Sequence, residues 1–315
     1  MRLACKTLRL SFVFLLAFGT SAACSGEQMY RVAIGWERYR AALKAKVVHA
    51  ADHDVHYLEA RPAATPGHPP ETLVFLHGFG ADKDSWLRLF QAFEGEHHII
   101  SLDLPGFGDS SRDMSKPYDV AAQVQRVRAI LQSLSISRAH FVGSSMGGAI
   151  AALYALTFPG EVASLCLIDA AGLKAPRRAK ETLVITEGDN PLVIATEAEF
   201  DRLIAVNFVT PPSIPSSIKR YFIARAAEHH AFTQKVFADL RRNPVELSDR
   251  LPEIAARTLI LWGDHDRVID PSVGEAYAAG INGSKLVVLK DTGHAPQLER
   301  PLEVARELER FLDAK

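Results

Sequence analysis

Short apolar runs alternate with longer amphipathic stretches along most of this chain. Each run has the length and composition of a buried strand, and the runs lie at residues 72–76, 99–102, 140–142, 165–168, 258–261 and 286–289. Between them lie stretches with helical periodicity, such as residues 120–134, whose apolar side chains share one face. The alternation predicts an α/β fold with a mostly parallel sheet flanked by helices. In such sheets the ligand site lies at the carboxyl ends of the strands.

Residues 172–250 interrupt this alternation. The segment has helical patterning throughout, broken by prolines at 211, 212 and 215. It predicts an inserted helical cap, with the α/β core formed by residues 47–171 and 251–315. A cap over the strand ends would line the site with apolar side chains, so an apolar substrate is expected. The candidates are Phe200, Leu203, Ile204, Phe208, Ile218, Tyr221, Phe222, Ile223, Phe232, Val236, Phe237 and Leu240.

The first residues have the pattern of an export signal. Residues 1–9 carry three basic and no acidic side chains, and residues 10–18 are apolar, so residues 1–23 are predicted to be a signal peptide. Residues 21–24 resemble a bacterial lipobox, in which Cys24 would be lipidated and become the new N-terminus. Plain cleavage and an uncleaved anchor are the alternatives. The expected location is periplasmic, secreted, or membrane-anchored through Cys24.

Residues 27–46 predict an N-terminal amphipathic helix, with Tyr30, Ile34 and Leu43 as its apolar positions. Such a helix either separates the body from a membrane anchor or packs on the domain. The next apolar pairs, at residues 47–48 and 55–58, predict a hairpin.

Composition excludes several classes of partner. A formal net charge of −1 and the lack of a basic tract argue against nucleic acid. Three scattered cysteines are too few for a disulfide framework or a metal site, and we expect no cofactor and no metal. The basic cluster of Lys174, Arg177, Arg178 and Lys180 is either a solvated face or a surface that rests on anionic lipid. The oligomeric state has no signal in the sequence.

The candidate chemistry centres on residues 143–147, Gly-Ser-Ser-Met-Gly, which lie between an apolar strand and a helical stretch. In this context the Gly-x-Ser-x-Gly pattern predicts a nucleophile elbow with Ser145 as the nucleophile. Gly143 and Gly147 lack side chains that would collide in so tight a turn. Centring the pattern on Ser144 would require glycines where Val142 and Met146 stand.

A serine hydroxyl needs a histidine as general base and an acid behind that histidine. His294 follows the last apolar run and lies after every acid candidate, in the chain order that the elbow fold uses. Other histidines have no comparable setting and are expected at the surface; they are His49, His53, His56, His97, His98, His229 and His230.

Three aspartates compete for the role of the acid. Asp264 and Asp266 follow one apolar run, and Asp169 follows another. We favour Asp266, because Asp264 is expected to bind backbone N–H groups within its turn and Asp169 to serve the turn into the cap.

Negative charge on the substrate oxygen requires preorganised donors. The backbone N–H of Met146, next to the nucleophile, is one candidate. Phe79, in the His-Gly-Phe-Gly segment that follows the first long apolar run, is the other. His77 is expected to be structural, and residues 103–108 are expected to form a loop at the site entrance, since the third glycine of a dinucleotide fingerprint is missing.

Five segments together resemble the α/β-hydrolase superfamily over about residues 47–315. They are residues 77–80, 103–108, 143–147, 262–266 and 292–294. Residues 81–86, 142–148 and 299–301 are most similar to animal monoacylglycerol lipases and related secreted bacterial lipases. The resemblance implies a carboxylic-ester hydrolase that prefers acylglycerols, with its acid three residues after the glycine of the Trp-Gly motif, at Asp266.

The predicted function is therefore a serine lipase or esterase that works through an acyl-serine intermediate on a small-molecule acyl ester or lipid, with association at a membrane surface. Dehalogenases and epoxide hydrolases of this superfamily carry a carboxylate at the elbow, so Ser145 argues against them. Carbon-carbon bond hydrolases and serine peroxidase-like members keep the serine and remain alternatives.

Overall fold

A computed structural model describes residues 25–50, 52–62, 70–91, 97–177, 179, 182–183 and 190–314. The predicted signal segment, Cys24, and two members of the basic cluster, Arg178 and Lys180, lie outside these residues. Within the described ranges, eight strands form a single sheet. They are β1 Lys44–Ala50, β2 His53–Ala60, β3 Thr72–Leu76, β4 His98–Leu102, β5 Ala139–Ser144, β6 Val162–Ile168, β7 Arg257–Gly263 and β8 Lys285–Leu289.

The strand order across the sheet is β1-β2-β4-β3-β5-β6-β7-β8. β2 pairs in the antiparallel sense with both β1 and β4, whereas the other five pairs are parallel, so β2 alone runs against the rest. The predicted hairpin is the β1–β2 pair, and the prediction of a mostly parallel sheet is confirmed. The six predicted apolar runs are β3 to β8.

Helices cover both faces of the sheet. They are α1 Gly26–Arg40, α2 Leu87–Phe90, α3 Val120–Ser133, α4 Met146–Thr157, α5 Glu197–Asn207, α6 Ser216–Glu228, α7 His230–Arg242, α8 Ser272–Gly280, α9 Pro296–Glu299 and α10 Pro301–Asp313. Alternate residues of one strand enter different core clusters: Leu165 and Leu167 of β6 pack with α3, α4 and α8, while Cys166 and Ile168 pack with α2 and α10. Both faces of β6 are therefore buried, as expected for a parallel sheet.

The segment between β6 and β7 carries α5, α6 and α7. The sequence predicts helix throughout this segment. That prediction is wrong for the part that precedes α5, whose described residues contain no helix. Gly172 has φ +116°, outside the helical region, and Pro176 follows in the same stretch. Phe232 and Val236 of α7 are buried in the main core, so they attach the cap to the body.

The N-terminal helix begins at a capping box formed by Ser25 and Gln28 and ends at Arg40, not at Lys46 as predicted. Residues 44–46 belong to β1, because their backbone groups pair with β2. Tyr30 packs on the cap, with its ring centroid 5.4 Å from that of Tyr221 in α6. Among the described residues, no helix combines the length and apolar character needed to cross a bilayer.

Glycines allow α4 to lie in direct contact with the sheet. A Cβ atom placed on Gly147 would be 2.1 Å from the carbonyl oxygen of Leu76 in β3. On Gly143 a Cβ atom would be 2.3 Å from the carbonyl oxygen of Gly147. Both obstacles are backbone atoms, so a side chain at either position would push the helix away from the strands.

We expect Gly147→Ala to destabilise the fold by at least about 1–3 kcal/mol, the usual cost of overpacking a rigid core site. For a chain of this size each kcal/mol lowers Tm by about 2–4 °C. Thermal unfolding followed by circular dichroism would measure the change. Gly160→Ala is the matched control, because its added Cβ meets nothing within 4 Å and should change stability by less than about 0.5 kcal/mol. Equal melting temperatures for the two variants would contradict the steric account.

Candidate active site

Ser145 stands at the turn between β5 and α4 with φ 53° and ψ −118°. A non-glycine residue in this region costs about 1–3 kcal/mol, and here hydrogen bonds hold it in place. The Ser145 N–H donates to the carbonyl oxygen of Ile168 at 3.0 Å, and the Ser145 carbonyl oxygen accepts from Gly148, Ala149 and Ala171 at 2.9–3.2 Å. The half-buried side chain therefore lies at the carboxyl edge of the sheet, where the pattern of residues 143–147 predicts it.

His294 and Asp266 form a buried pair at the same edge. The His294 Nδ1 atom lies 2.7 Å from Oδ2 of Asp266, within hydrogen-bond distance. The Asp266 side chain has no exposed surface, and that of His294 is 7% exposed. Oδ1 of Asp266 accepts backbone N–H groups of Val268 and Ile269 at 2.8 and 2.9 Å, which fixes the carboxylate plane. This pair has the geometry of an acid that orients a general base through Nδ1.

Asp264 holds the turn that carries His294. Its Oδ1 atom accepts the backbone N–H of Thr292 at 3.1 Å and also lies 2.7 Å from Nδ1 of His265. The side chain thus stabilises the loop through a backbone contact, which is the turn role expected for Asp264 from the sequence.

Glu299 of α9 is a site residue to which sequence reasoning gives no role. One of its carboxylate oxygens accepts the N–H of Gly293 at 2.6 Å, and the other accepts the N–H groups of Val209 and Thr210 at 3.0 and 2.7 Å. The N–H of His294 donates to the carbonyl oxygen of Asn207, the last residue of α5, at 2.8 Å. The turn that carries the histidine is therefore bonded directly to the cap.

Asp169 lies beside the pair formed by His294 and Asp266. Its side chain is fully buried, and burial together with the neighbouring charge of Asp266 raises the pKa of Asp169 well above its usual range. One carboxyl oxygen of Asp169, one of Asp266 and a ring nitrogen of His294 all lie within 4.8 Å of one another. Within the described part of the chain this is a group with metal-ligand character, but the 2.7 Å contact between Asp266 and His294 already joins two of its members.

The two segments that carry the predicted oxyanion donors adjoin Ser145. Met146 is the first residue of α4, where backbone N–H groups have no acceptor within the helix. Gly78, which precedes Phe79, approaches the serine so closely that an added Cβ atom would be 3.1 Å from the Ser145 Cβ and 3.7 Å from its Oγ. Both segments therefore adjoin the nucleophile.

His77 supports the loop after β3. Its Nδ1–H donates to the carbonyl oxygen of Gly78 at 2.7 Å, and its Nε2 accepts the N–H of Leu104 at 3.1 Å. These two bonds require the neutral ring, and burial lowers the pKa of His77. The structural role expected for His77 agrees with these contacts.

The loop of residues 103–108 is built around a buried carboxylate. Asp103 accepts the backbone N–H and the Nζ of Lys83 at 2.7 and 2.8 Å, and the N–H of Asp109 at 2.8 Å. A Cβ on Gly108, which has φ +55°, would lie 2.1 Å from the Asp103 carboxyl carbon. The glycines of this segment therefore serve the packing of the loop.

Two histidines expected at the surface are buried instead. His53 is 1% exposed, with Nε2 2.9 Å from the hydroxyl oxygen of Tyr118, and His98 is 4% exposed, with Nε2 2.8 Å from Glu59. Tertiary partners distant in sequence satisfy these polar groups, so local pattern does not reveal their burial.

A pocket of about 260 Å³ lies between the cap and the loops that follow β3 and β4. Its apolar wall contains Phe79, Phe107, Leu192, Phe200, Leu203 and Phe222. Three of these, Phe200, Leu203 and Phe222, belong to the set predicted to line the site. The prediction of an apolar lining is incomplete, because ionisable side chains also border the pocket, namely Asp82, Arg112, Arg225 and His229.

Residues 71–301 match the α/β hydrolase fold family, and the chain belongs to that family. It is 33% identical over 284 residues to Lipase 3 of a Moraxella species, a match that covers 89% of this chain and 88% of the relative. It is 31% identical over 311 residues to monoacylglycerol lipase abhd6-B of Xenopus laevis, covering 95% and 91%. The crystal structure of a membrane phospholipase A, described as a bacterial virulence factor, superposes with a TM-score of 0.86 at 38% identity over 91% of each chain.

These comparisons confirm the predicted superfamily and the resemblance to monoacylglycerol lipases and bacterial lipases. They also confirm the prediction of a carboxylic-ester hydrolase.

We expect Glu299→Gln to lower kcat by about 10- to 100-fold, the scale of loss when a catalytic group is displaced by about 1 Å. An amide nitrogen in place of either carboxylate oxygen would face a backbone N–H, so the bond to Gly293 or those to Val209 and Thr210 would be lost. Steady-state ester hydrolysis would measure the effect. Glu303→Gln, an exposed change in the next helix, is the control. Wild-type kcat in Glu299→Gln would refute the positioning role.

Proposed function

We propose that this carboxylic-ester hydrolase cleaves acylglycerols and similar apolar acyl esters, and that Ser145, His294 and Asp266 are its catalytic residues. The observation that carries the proposal is the buried 2.7 Å contact between His294 and Asp266 at the same sheet edge as the Ser145 turn. This combination supplies a nucleophile, a base and an orienting acid.

In this mechanism Ser145 Oγ attacks the ester carbonyl carbon while His294 Nε2 takes the hydroxyl proton. Asp266 stabilises the imidazolium through Nδ1–H. His294 then gives the proton to the departing alcohol oxygen as the ester C–O bond breaks, leaving an acyl-serine. A water molecule, deprotonated by His294, attacks the acyl carbon and releases the carboxylic acid, and the serine recovers its proton.

The tetrahedral intermediates carry negative charge on the former carbonyl oxygen. We assign its stabilisation to the backbone N–H groups of Phe79 and Met146. The position of Met146 at the start of α4 favours an anion, because the positive end of the helix dipole adds to its N–H group.

The substrate class follows from the pocket and the relatives. Phe79, one of the proposed oxyanion donors, lines the pocket together with Phe107, Phe200, Leu203 and Phe222, and we assign the acyl chain to this apolar wall. The named relatives are a lipase and a monoacylglycerol lipase, which supports an acylglycerol-type substrate.

We further propose that the chain is exported and works at a membrane surface. Residues 1–24 support export, and α1 follows them with an exposed apolar face formed by Met29, Val32, Trp36 and Tyr39, at helical spacing. Apolar side chains on such a face insert favourably into a lipid interface. The similar solved structure is that of a membrane phospholipase A.

Ser145→Ala should reduce kcat by up to about 10⁶-fold, because the members of a catalytic triad act as a unit. Initial rates on p-nitrophenyl esters of increasing acyl length would measure this loss and, in the wild type, the preferred chain. A vinylogous diketone in the same series tests carbon-carbon cleavage. Ser144→Ala is the neighbouring control. Most ester activity remaining in Ser145→Ala, or faster turnover of the diketone by the wild type, would refute the proposal.

Cys24→Ser should abolish incorporation of a palmitate analogue and release the protein from the membrane fraction, since a lipobox cysteine carries the acyl chains. Expression of the full chain in a Gram-negative bacterium, followed by fractionation, provides the measurement. Cys5→Ser keeps the predicted attachment site and should remain labelled. Unchanged labelling in Cys24→Ser would exclude lipidation there.

A further inference from the structure

Asp169 presents an unpaired carboxyl oxygen to the catalytic centre. Its Oδ1 atom accepts the N–H of Gly263 at 2.9 Å, whereas its buried Oδ2 atom has no hydrogen-bond partner. Leaving a buried polar oxygen without a partner costs about 1–3 kcal/mol, so its retention calls for an explanation. One carboxyl oxygen of Asp169 lies within 4.8 Å of a carboxyl oxygen of Asp266 and of a ring nitrogen of His294.

The sheet places the two carboxyl groups side by side. Asp169 follows β6 and Asp266 lies in the loop after β7, and these neighbouring strands pair in register with Ile168 opposite Leu261. Each aspartate therefore approaches the histidine from its own strand end. Asp169 occupies a position from which a carboxylate could also orient the imidazole.

The two carboxyl groups differ in their hydrogen bonds. Asp266 accepts two backbone N–H groups and contacts His294, whereas Asp169 accepts only the N–H of Gly263. The groups that face Asp169 are the Gly263 N–H, Asp266, His294 and the more distant Glu299; burial and the two acids raise its pKa, and the N–H lowers it. These surroundings favour the protonated form of Asp169 over the ionised form.

We propose that Asp169 and Asp266 form a carboxyl pair that shares one negative charge, and that Asp169 takes up this charge and supports His294 when Asp266 cannot carry it. This inference rests on the proposed function, because it assumes that His294 is the base. It differs from a purely structural role, in which Asp169 only holds Gly263.

A double-mutant cycle tests the pair. Rates would be measured for the wild type, Asp169→Asn, Asp266→Asn and the double variant on p-nitrophenyl butyrate, with thermal unfolding to establish that each is folded. A lone acid of this kind contributes about 10⁴-fold to kcat. We expect Asp266→Asn to lower kcat by only about 10²-fold and Asp169→Asn to lower it by less than about 3-fold. When Asp169→Asn is added to Asp266→Asn, we expect kcat to fall by at least about a further 30-fold.

The pH dependence adds a readout that a structural role would not change. In Asp266→Asn the remaining activity requires ionised Asp169, whose buried carboxyl still has a raised pKa. Ionisation increases with pH, so the rate ratio of Asp266→Asn to the double variant should rise with pH. The double variant keeps His294 and lacks both carboxyl groups, so it is the reference against which the contribution of Asp169 is measured.

Asp270→Asn is the matched control, since Asp270 is a buried acid of the same loop bonded to Ser272, Ala179 and Thr182, away from the pair. Asp270→Asn should change kcat by the same factor in the wild type and in Asp266→Asn. If Asp169→Asn does not fold, Asp169→Ser replaces it, because a hydroxyl can accept the Gly263 N–H without ionising.

Two results would overturn the carboxyl pair. One is that Asp169→Asn lowers kcat by the same factor in the wild type and in Asp266→Asn. The other is that the rate ratio of Asp266→Asn to the double variant does not change with pH. A greater loss in Asp169→Asn than in Asp266→Asn would overturn it too, by making Asp169 the principal acid. Failure of the proposed function is separate: it would appear as retained activity in Ser145→Ala or as no ester hydrolysis by the wild type.

Discussion

The direct contact between α4 and the sheet constrains everything else at this site. The chain must turn from β5 into the helix within one residue, and only glycine at 143 and 147 leaves room for the carbonyl oxygens that meet there. Ser145 consequently adopts a positive φ, and its own carbonyl oxygen accepts three N–H groups. One of these comes from Ala171, where the chain enters the cap. Ser145 is thus oriented by its backbone, and hydrogen bonds on both sides of the turn offset the strain.

His294 is positioned in a different way. It lies five residues after the end of β8, on a loop, so the sheet alone does not define its place. Side chains and carbonyl groups from three directions define it: Asp264 from the β7 loop, Glu299 from α9, and the carbonyl oxygen of Asn207 from the cap. Because the cap supplies one of these anchors, a change in cap position acts on the histidine as well as on the pocket. Helix α5 therefore supports both the histidine and the wall of the pocket.

The features that could be predicted from sequence are those with local physical causes. Buried parallel strands require continuous apolar runs, and the elbow requires glycines at fixed spacing, so β3 to β8 and Ser145 follow directly from the pattern. The chain order of the superfamily then points to His294 and Asp266. Local periodicity does not predict the structure where strand pairing determines it. Residues 44–46 have a helical pattern but belong to β1, because β2 supplies partners for their backbone groups. The burial of His53 depends in the same way on Tyr118, 65 residues away.

The positions of the acidic residues around His294 depend on contacts between loops, and the sequence does not predict which loops meet. Asp169, Asp266 and Glu299 come from three elements and meet only because β6, β7 and α9 end at one edge. Three full negative charges there would favour the imidazolium in the resting enzyme, where the base must be neutral to accept the serine proton. The structure limits this effect in two ways. Glu299 accepts three backbone N–H groups, and burial raises the pKa of Asp169, which favours its protonated form. Asp266 is the carboxylate in direct contact with His294, so in the proposed mechanism it is the acid that stabilises the imidazolium.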